Sequence, residues 1–285
     1  MEIIHALQSV ASPALDLVAL AVTNLGHEMT YVGLLVIAYL AVGADQGRRL
    51  GILVLLSFYL NGLLKGVFDT PRPYVLDPEV LRSQAAAQTG PGAGFPSGHA
   101  QGAMAFWGVS ALYVRRRPFT ALALVLVAAI ALSRVYLGVH LPIDIVGGLG
   151  IGALFVLAAA WWPERPLRLA APLQIALGIA VPLALQLIFS NDHSGLVLGG
   201  MAGFLTAPLL LKHEAPRTLS GRFGIALLGL TLVFAALFGS SALLPEAVKR
   251  SDIGAFLRYL ALAYVGRLLV PALWRQVRRQ PAAAT

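Results

Sequence analysis

Four groups of residues, Lys65-x6-Arg72-Pro73, Pro96-Ser97-Gly98-His99, Ser133-Arg134 and His140-x3-Asp144, place charged and imidazole side chains at the borders of strongly apolar runs. Ionisable residues are expensive there, which makes them candidates for function. Lys65, Arg72 and Arg134 together match a dianionic phosphate, the two guanidiniums offering bidentate forks. Pro96-Ser97-Gly98-His99 reads as the opening of a helix, whose free N–H groups and positive dipole end favour an anion. Gly98 lets the backbone approach closely. Pro142 suits the first turn of a further helix and joins His140 to Asp144. At that spacing the carboxylate accepts a hydrogen bond from one imidazole nitrogen and leaves the other as an oriented nucleophile. His99, on a separate helix, can act as general acid on a leaving oxygen. Each element alone is ordinary: a lone arginine at a helix end snorkels and a lone histidine packs. Their order, spacing and shared face together point to phosphoryl transfer.

The elements that position these groups follow from composition. The 285 residues are 58% hydrophobic and 12% charged, with mean hydropathy +0.78, against roughly 25% charged in a soluble domain. This excludes a disordered chain, a basic nucleic-acid-binding protein and nearly any water-soluble enzyme. It predicts an all-α polytopic membrane bundle. Nine apolar runs approach a bilayer thickness and close on charge, Pro or Gly: about 29–43, 50–66, 98–114, 119–138, 142–162, 171–190, 195–211, 223–244 and 254–273. Segment 3–24 differs, setting His5, Gln8, Ser9, Pro13 and Asp16 among Leu7, Val10, Leu15, Val18 and Val22. That pattern predicts an amphipathic helix lying in the membrane interface.

Net charge is +8, and its placement points to the positive-inside rule and anionic lipid rather than nucleic acid. Arg48 and Arg49, Arg115 to Arg117, Arg165 and Arg168, then Lys212, Arg217 and Arg222, then Arg275, Arg278 and Arg279 occupy alternate loops. If every run crosses once, these clusters share the cytoplasmic face, and Lys65, Arg72, Arg82, Arg134, Lys249 and Arg250 lie on the other. The N-terminus is then outside and the C-terminus inside. With no cysteine, disulfides, zinc thiolates and thiol catalysis are excluded. No signal peptide is expected.

Two regions are expected. Residues 1–162 form a catalytic core with the interfacial helix, and 163–285 add further transmembrane helices. Gly195, Gly199, Gly200 and Gly203 predict close helix packing in the second region, which serves as scaffold or as the surface of a homo-oligomer. Asn191-Asp192-His193-Ser194 reads as a solvated turn. His27 and Glu28 are second-tier candidates for gating or leaving-group contact. Asp69, Asp77 and Glu79 suit loop solubility better than metal ligation.

The charged groups named above, in that order and spacing, resemble the three-part signature of the type-2 phosphatidic acid phosphatase superfamily. Vanadium haloperoxidases and membrane glucose-6-phosphatases share it, and every signature position is occupied here. The flanks Ser12-Pro13-x2-Leu15-Asp16, Thr23-x-Leu25-Gly26 and Val135-Tyr136-Leu137-Gly138-Val139 also look like those of bacterial members. The resemblance covers about residues 12–160. The strongly hydrophobic first span of many members has no counterpart in this sequence, and four runs follow the core.

The resemblance implies that His140 attacks phosphorus and forms a phosphohistidine, while Asp144 orients and charges it. His99 protonates the leaving group, then activates water. Lys65, Arg72, Ser97, Gly98 and Arg134 hold the phosphate oxygens and stabilise the transition state. No metal or other cofactor is implied. The expected protein is a hydrolase, an integral-membrane lipid phosphatase acting on a lipid phosphomonoester or diphosphate. Undecaprenyl diphosphate, phosphatidylglycerophosphate and phosphatidic acid are the substrate classes. Its setting is a bacterial inner (plasma) membrane, with the site facing the periplasm or exterior and no nucleic-acid partner. Two other readings stand beside it. A phosphotransferase would pass the same phosphoryl group to a sugar or lipid hydroxyl. A lipid or anion transporter would use the site for binding alone, but no inverted repeat is visible, and binding alone has no use for the His140–Asp144 pair.

Overall fold

The computed structural model describes residues 1–162, 169–191 and 193–279, with Arg278 and Arg279 as backbone only. Arg165, Arg168, Asp192 and the side chains of Arg278 and Arg279 therefore lie outside the described residues. Every regular element among the described residues is helical. Helices open where the sequence supplies a cap. Ser12 Oγ accepts from Leu15 N at 3.3 Å ahead of Pro13, Ser97 Oγ from Ala100 N at 3.4 Å, Thr218 Oγ1 from Gly221 N at 3.2 Å and Ser251 Oγ from Gly254 N at 3.1 Å.

In chain order the main helices are α1 (Glu2–Gln8), α2 (Pro13–Asn24), α3 (Glu28–Ile37, running on through a π-helical turn Ala38–Val42) and α4 (Ala44–Phe68). α5 covers 98–114, with a π-helical turn Met104–Gly108 in its middle. Then come α6 (Arg117–Tyr136), α7 (Pro142–Ala160), α8 (Ala171–Ile188), α9 (Ser194–Leu210) and α10 (Leu219–Leu243). α11 runs from Asp252–Tyr264 through a π-helical turn Val265–Leu269 into Val270–Arg279.

Two expectations need correction. Among the described residues six helices, not nine, are long and apolar enough to cross a membrane, or seven if the bent N-terminal pair counts as one span. The other three runs fold as α3, α5 and α9, all shorter than 18 residues. Apolar composition cannot tell a helix facing lipid from one enclosed by other helices, and most of α9 is buried. The alternation of loop charges that assigns a cytoplasmic face counts all nine runs as crossings. The N-terminal segment is also not one helix: α1 and α2 meet at 118°. The break falls at Ser9–Ser12, because Pro13 has no N–H to extend a helix and suits a first turn instead.

Contacts divide the chain into one unit of Met1–Val32 with Ser57–Pro163 and another of Gly33–Leu56 with Glu164–Thr285. In the first, α6 packs against α1, α2 and α5, and α5 runs along α7. The α5–α7 seam is made of backbone. A Cβ at Gly148 would lie 2.5 Å from the Ser97 carbonyl oxygen, and one at Gly152 2.7 Å from that of Gln101. Buried Gln101 ties α5 to the second half of α4. Its Nε2 donates to Ser57 O (2.7 Å) and Oγ (2.9 Å), and its Oε1 accepts from Asn61 Nδ2 (2.8 Å).

The long loop 69–97 is strapped down by the N-terminal helices. Gln8 Nε2 donates to the carbonyls of Val80 and Tyr136, each at 2.7 Å. Arg82 grips the Asp16 carboxylate with two bonds of 3.0 and 2.9 Å, and Tyr136 Oη donates to the same carboxylate at 2.5 Å. Asp77 caps the turn at Glu79 and faces His5 at 3.4 Å. Gly138 has φ +73°, and a Cβ there would run into the Val80 carbonyl.

In the second unit, α9 packs against both α8 and α11. Gly195, Gly199 and Gly203, one turn apart, lie against Ala255, Phe256 and Ala263 of α11, the small-residue packing the sequence predicts. Gly200 falls outside that stripe and faces Leu55 of α4.

Candidate active site

Arg72 begins the helical turn Pro73–Leu76 and is buried. The carbonyls of loop 90–93 collar its guanidinium. Nε donates to Gly92 O at 2.7 Å, and Nη2 to Pro91 O and Ala93 O at 3.1 and 3.2 Å. Lys65 Nζ, at the end of α4, donates to the same Ala93 carbonyl. Arg72 Nη1 donates to Val139 O at 2.9 Å and stands 3.1 Å from His140 Nε2.

His140 is buried and lies just ahead of α7. Its Nδ1 is 3.3 Å from Asp144 Oδ2, which also accepts from Leu141 N at 2.9 Å. One carboxylate oxygen thus caps the helix and faces the imidazole. A guanidinium only donates, so the Arg72 contact makes Nε2 the acceptor and puts the ring proton on Nδ1, toward Asp144. Burial, reinforced by the charges of Arg72 and Arg134, holds the imidazole well below the usual histidine range. The turn before it folds back on α6, with Val139 N and His140 N both donating to Arg134 O, at 3.2 and 3.3 Å.

Arg134 has no exposed surface. Its Nη1 donates to Thr23 Oγ1 at 2.7 Å and Thr89 Oγ1 at 2.6 Å, while Nε and Nη2 are buried without a protein partner. His99 Nε2 is buried and unpartnered too. A Cβ on Gly90 would sit 2.8 Å from Arg134 Nη2 and 3.1 Å from Arg72 Nη1, so the two guanidiniums converge over this glycine. Like charges converging, with buried donors left over, suit a multivalent anion. Ser97 N donates to Asp144 O at 3.0 Å, which fixes the start of α5 to the start of α7. A Cβ on Gly98 would lie 3.0 Å from Asn61 Oδ1.

The structure therefore brings Lys65, Arg72, Ser97, Gly98, His99, Arg134, His140 and Asp144 to one end of the first unit. His27 joins its edge, its ring 6.4 Å from that of His99 and nearly perpendicular. His27 Nδ1 accepts from Met29 N at 3.2 Å. Glu28 opens α3. Sequence reading does not single out Thr89, Asn61 or Gln101, and quotes Thr23 only as a flank. Thr23 and Thr89 hold Arg134, while Asn61 and Gln101 fasten the start of α5 to α4 through Pro96 O and Ser57; the carbonyls of 91–93 carry no sequence signal at all. Among the described residues no group of three or more His, Asp and Glu is clustered as metal ligands would be.

Comparison with known proteins agrees with this chemistry. A profile of the PAP2 superfamily matches residues 46–168. Sphingosine-1-phosphate phosphatase 2 of Mus musculus is 30% identical over 169 residues, 56% of this chain and 47% of that protein. Lipid phosphate phosphatase delta of Arabidopsis thaliana is 35% identical over 122 residues, 38% of this chain and 29% of that protein. Phosphatidylglycerophosphatase B of Bacillus subtilis (strain 168) is 30% identical over 169 residues, 55% of this chain and 79% of that protein. The chain thus spans less than half the length of the mouse and plant relatives. No solved structure matches it.

Proposed function

The chain belongs to the PAP2 superfamily, and we propose that it is an integral-membrane lipid phosphatase working through a phosphohistidine, without a metal. The observation that carries this is the line Arg72–His140–Asp144: a buried imidazole with Nδ1 3.3 Å from the Asp144 carboxylate and Nε2 3.1 Å from the Arg72 guanidinium. The relatives' names, which include phosphatases of sphingosine 1-phosphate and phosphatidylglycerophosphate, support a lipid carrying a terminal phosphate or diphosphate.

In this mechanism the terminal phosphate takes Arg72 Nη1, Arg134 Nε and Nη2, Lys65 and the Ser97–Gly98 helix start as its donors. His140 Nε2 attacks phosphorus. The bond from phosphorus to the lipid oxygen breaks, and His99 gives that oxygen its proton. Asp144 balances the positive charge that appears on His140. Water then attacks the phosphohistidine and loses a proton to His99, the P–N bond breaks, and phosphate leaves. The cations neutralise the charge that a metal neutralises in other phosphoryl-transfer sites. Residues 1–162 carry the reaction and 163–285 serve as scaffold. The proposed face for the site is the periplasm or exterior, the side away from the arginine clusters 48–49 and 115–117, so that the enzyme acts on the outer leaflet.

The test is phosphate release by purified protein in EDTA from phosphatidic acid, phosphatidylglycerophosphate, undecaprenyl diphosphate and a soluble phosphomonoester, each beside His140→Ala. Release abolished by the substitution is expected and ranks the lipids. No release from any substrate while vanadate still binds would overturn hydrolysis in favour of a phosphotransferase or a binding protein.

A further inference from the structure

The second unit holds an arginine that the proposed reaction does not use. Arg267 is 3% exposed and lies in the π-helical turn Val265–Leu269 of α11, inside a stretch long and apolar enough to cross a membrane. Its Cζ lies 4.0 Å from the centroid of the Tyr39 ring and 2.9 Å from that of Phe204. Tyr39 belongs to this unit's other π-helical turn, Ala38–Val42. Such turns open the helix backbone and recur where side chains are placed for function. Among the described residues no carboxylate pairs with Arg267, and its buried Nη1 has no hydrogen-bond partner.

The neighbouring charges add to the imbalance. Arg48, near the start of α4, is an electrostatic neighbour of Arg267. His213 sets its ring 5.6 Å from that of Tyr39 and binds the Leu40 carbonyl through Nε2 at 2.9 Å. Arg275, two turns along α11, donates to the Lys212 carbonyl. The acids of the region, Asp45 and Glu214, are exposed. Two aromatic rings offset only part of the desolvation cost of a buried guanidinium, and charges inside membrane helices are as a rule paired. Among the described residues nothing supplies the negative charge and acceptor oxygens that would complete this site.

We propose that Arg267 is the centre of a second anion site, which takes a phosphate group at the unpartnered Nη1 edge of the guanidinium that Tyr39 and Phe204 flank, carried by an anionic phospholipid headgroup or by free inorganic phosphate. The guanidinium offers a planar fork to phosphate oxygens, and the apolar helices around it suit acyl chains. The site shares no residue with the proposed catalytic machinery, so neither reading depends on the other.

The test is thermal unfolding of the purified full chain in neutral detergent, with phosphatidylglycerol, phosphatidylcholine or inorganic phosphate added. Phosphatidylglycerol should raise the midpoint by about 5 °C at saturation, and phosphatidylcholine should not. If inorganic phosphate alone reproduces the rise, the free anion is the ligand; if it does not, the headgroup is. Because phosphate also fits the proposed catalytic site, the criterion is the part of the rise that Arg267→Gln removes and His140→Ala keeps. An undiminished rise in Arg267→Gln, or no rise with either probe in the unaltered chain, overturns the proposal. Should Arg267→Gln fail to fold, native mass spectrometry of the unaltered chain decides. Selective retention of phosphatidylglycerol, weakened in Arg267→Lys, is expected, and equal retention of phosphatidylcholine overturns it.

Discussion

Arg72 Nη1 stands 3.1 Å from His140 Nε2, the nitrogen that attacks phosphorus in the proposed mechanism. The same N–H that holds the imidazole's lone pair is a natural donor to a phosphate oxygen. As phosphate draws that hydrogen away, the lone pair is uncovered, so binding and activation of the nucleophile become one event.

Substitutions around this contact should separate charge from geometry. Arg72→Lys keeps a cation but loses the fork that reaches Pro91, Gly92, Ala93 and Val139 together. Its kcat/KM should fall by about 10²–10³, as should that of Arg134→Ala. His140→Ala and His99→Ala should show no turnover above background in the phosphate-release assay. More than a tenth of normal activity in His99→Ala would remove it as the general acid.

Asp144→Asn should preserve the cap on Leu141 N, since the amide oxygen can still accept. The same oxygen still faces His140 Nδ1, but it no longer carries the charge that balances a positive imidazole. The expected loss is about 10²–10⁴ in kcat, read as slower appearance of acid-labile phosphoenzyme after rapid quenching. An unaltered rate would leave Asp144 with a structural role only.

The neutral state of His140 predicts a pH profile. Its pKa is lowered by burial, then by Arg72 and Arg134, so it should cost no activity between pH 7.5 and about 6.5, and the acid limb of kcat/KM assigned to it should lie lower. Stability has the same sign. The unfolded chain takes up this proton near pH 6.5 and the folded chain does not, so the unfolding midpoint should drop as pH falls through that value. The drop should be smaller in His140→Ala.

Ligand chemistry offers an independent check. Vanadate, whose trigonal-bipyramidal adduct with an imidazole mimics the transition state, should inhibit competitively and bind far more tightly than phosphate. EDTA should leave the rate unchanged. Inhibition by EDTA that magnesium reverses would sink the metal-free mechanism.

Gly138→Ala tests the turn behind the nucleophile. With φ +73° and the Val80 carbonyl in the way, a methyl group there should cost about 1–3 kcal/mol, seen as a lowered unfolding midpoint. The turn also carries His140, so activity should fall further than stability accounts for.

The charged residues of the site were legible because their order and spacing at the edges of apolar runs coincide, although each alone is ordinary. His140 and Asp144 lie one helical turn apart, so even their pairing follows from spacing. Their supports were not legible. Thr23 and Thr89 reach Arg134 across 111 and 45 residues, and a threonine in a loop looks the same whether it holds an arginine or water. Backbone carbonyls such as those of Pro91 and Ala93 carry no side-chain signature. The helices were legible as apolar runs, but their relation to lipid was not. α9 is as apolar as a span, yet it is mostly buried by its neighbours. The break between α1 and α2 was within reach, since Ser12-Pro13 is a helix start in the middle of segment 3–24.

The bare seam between α5 and α7 has a last consequence. His99 rides on one of these helices and Asp144 on the other, with His140 just ahead of it, so the thickness of the layer between them gauges the gap from acid to nucleophile. At Gly148 and Gly152 that layer is hydrogen against carbonyl oxygen. Each methyl group added there acts as a shim, wedging the two histidines apart without touching either. In the proposed mechanism, catalytic reach is set by side chains that two glycines do not have.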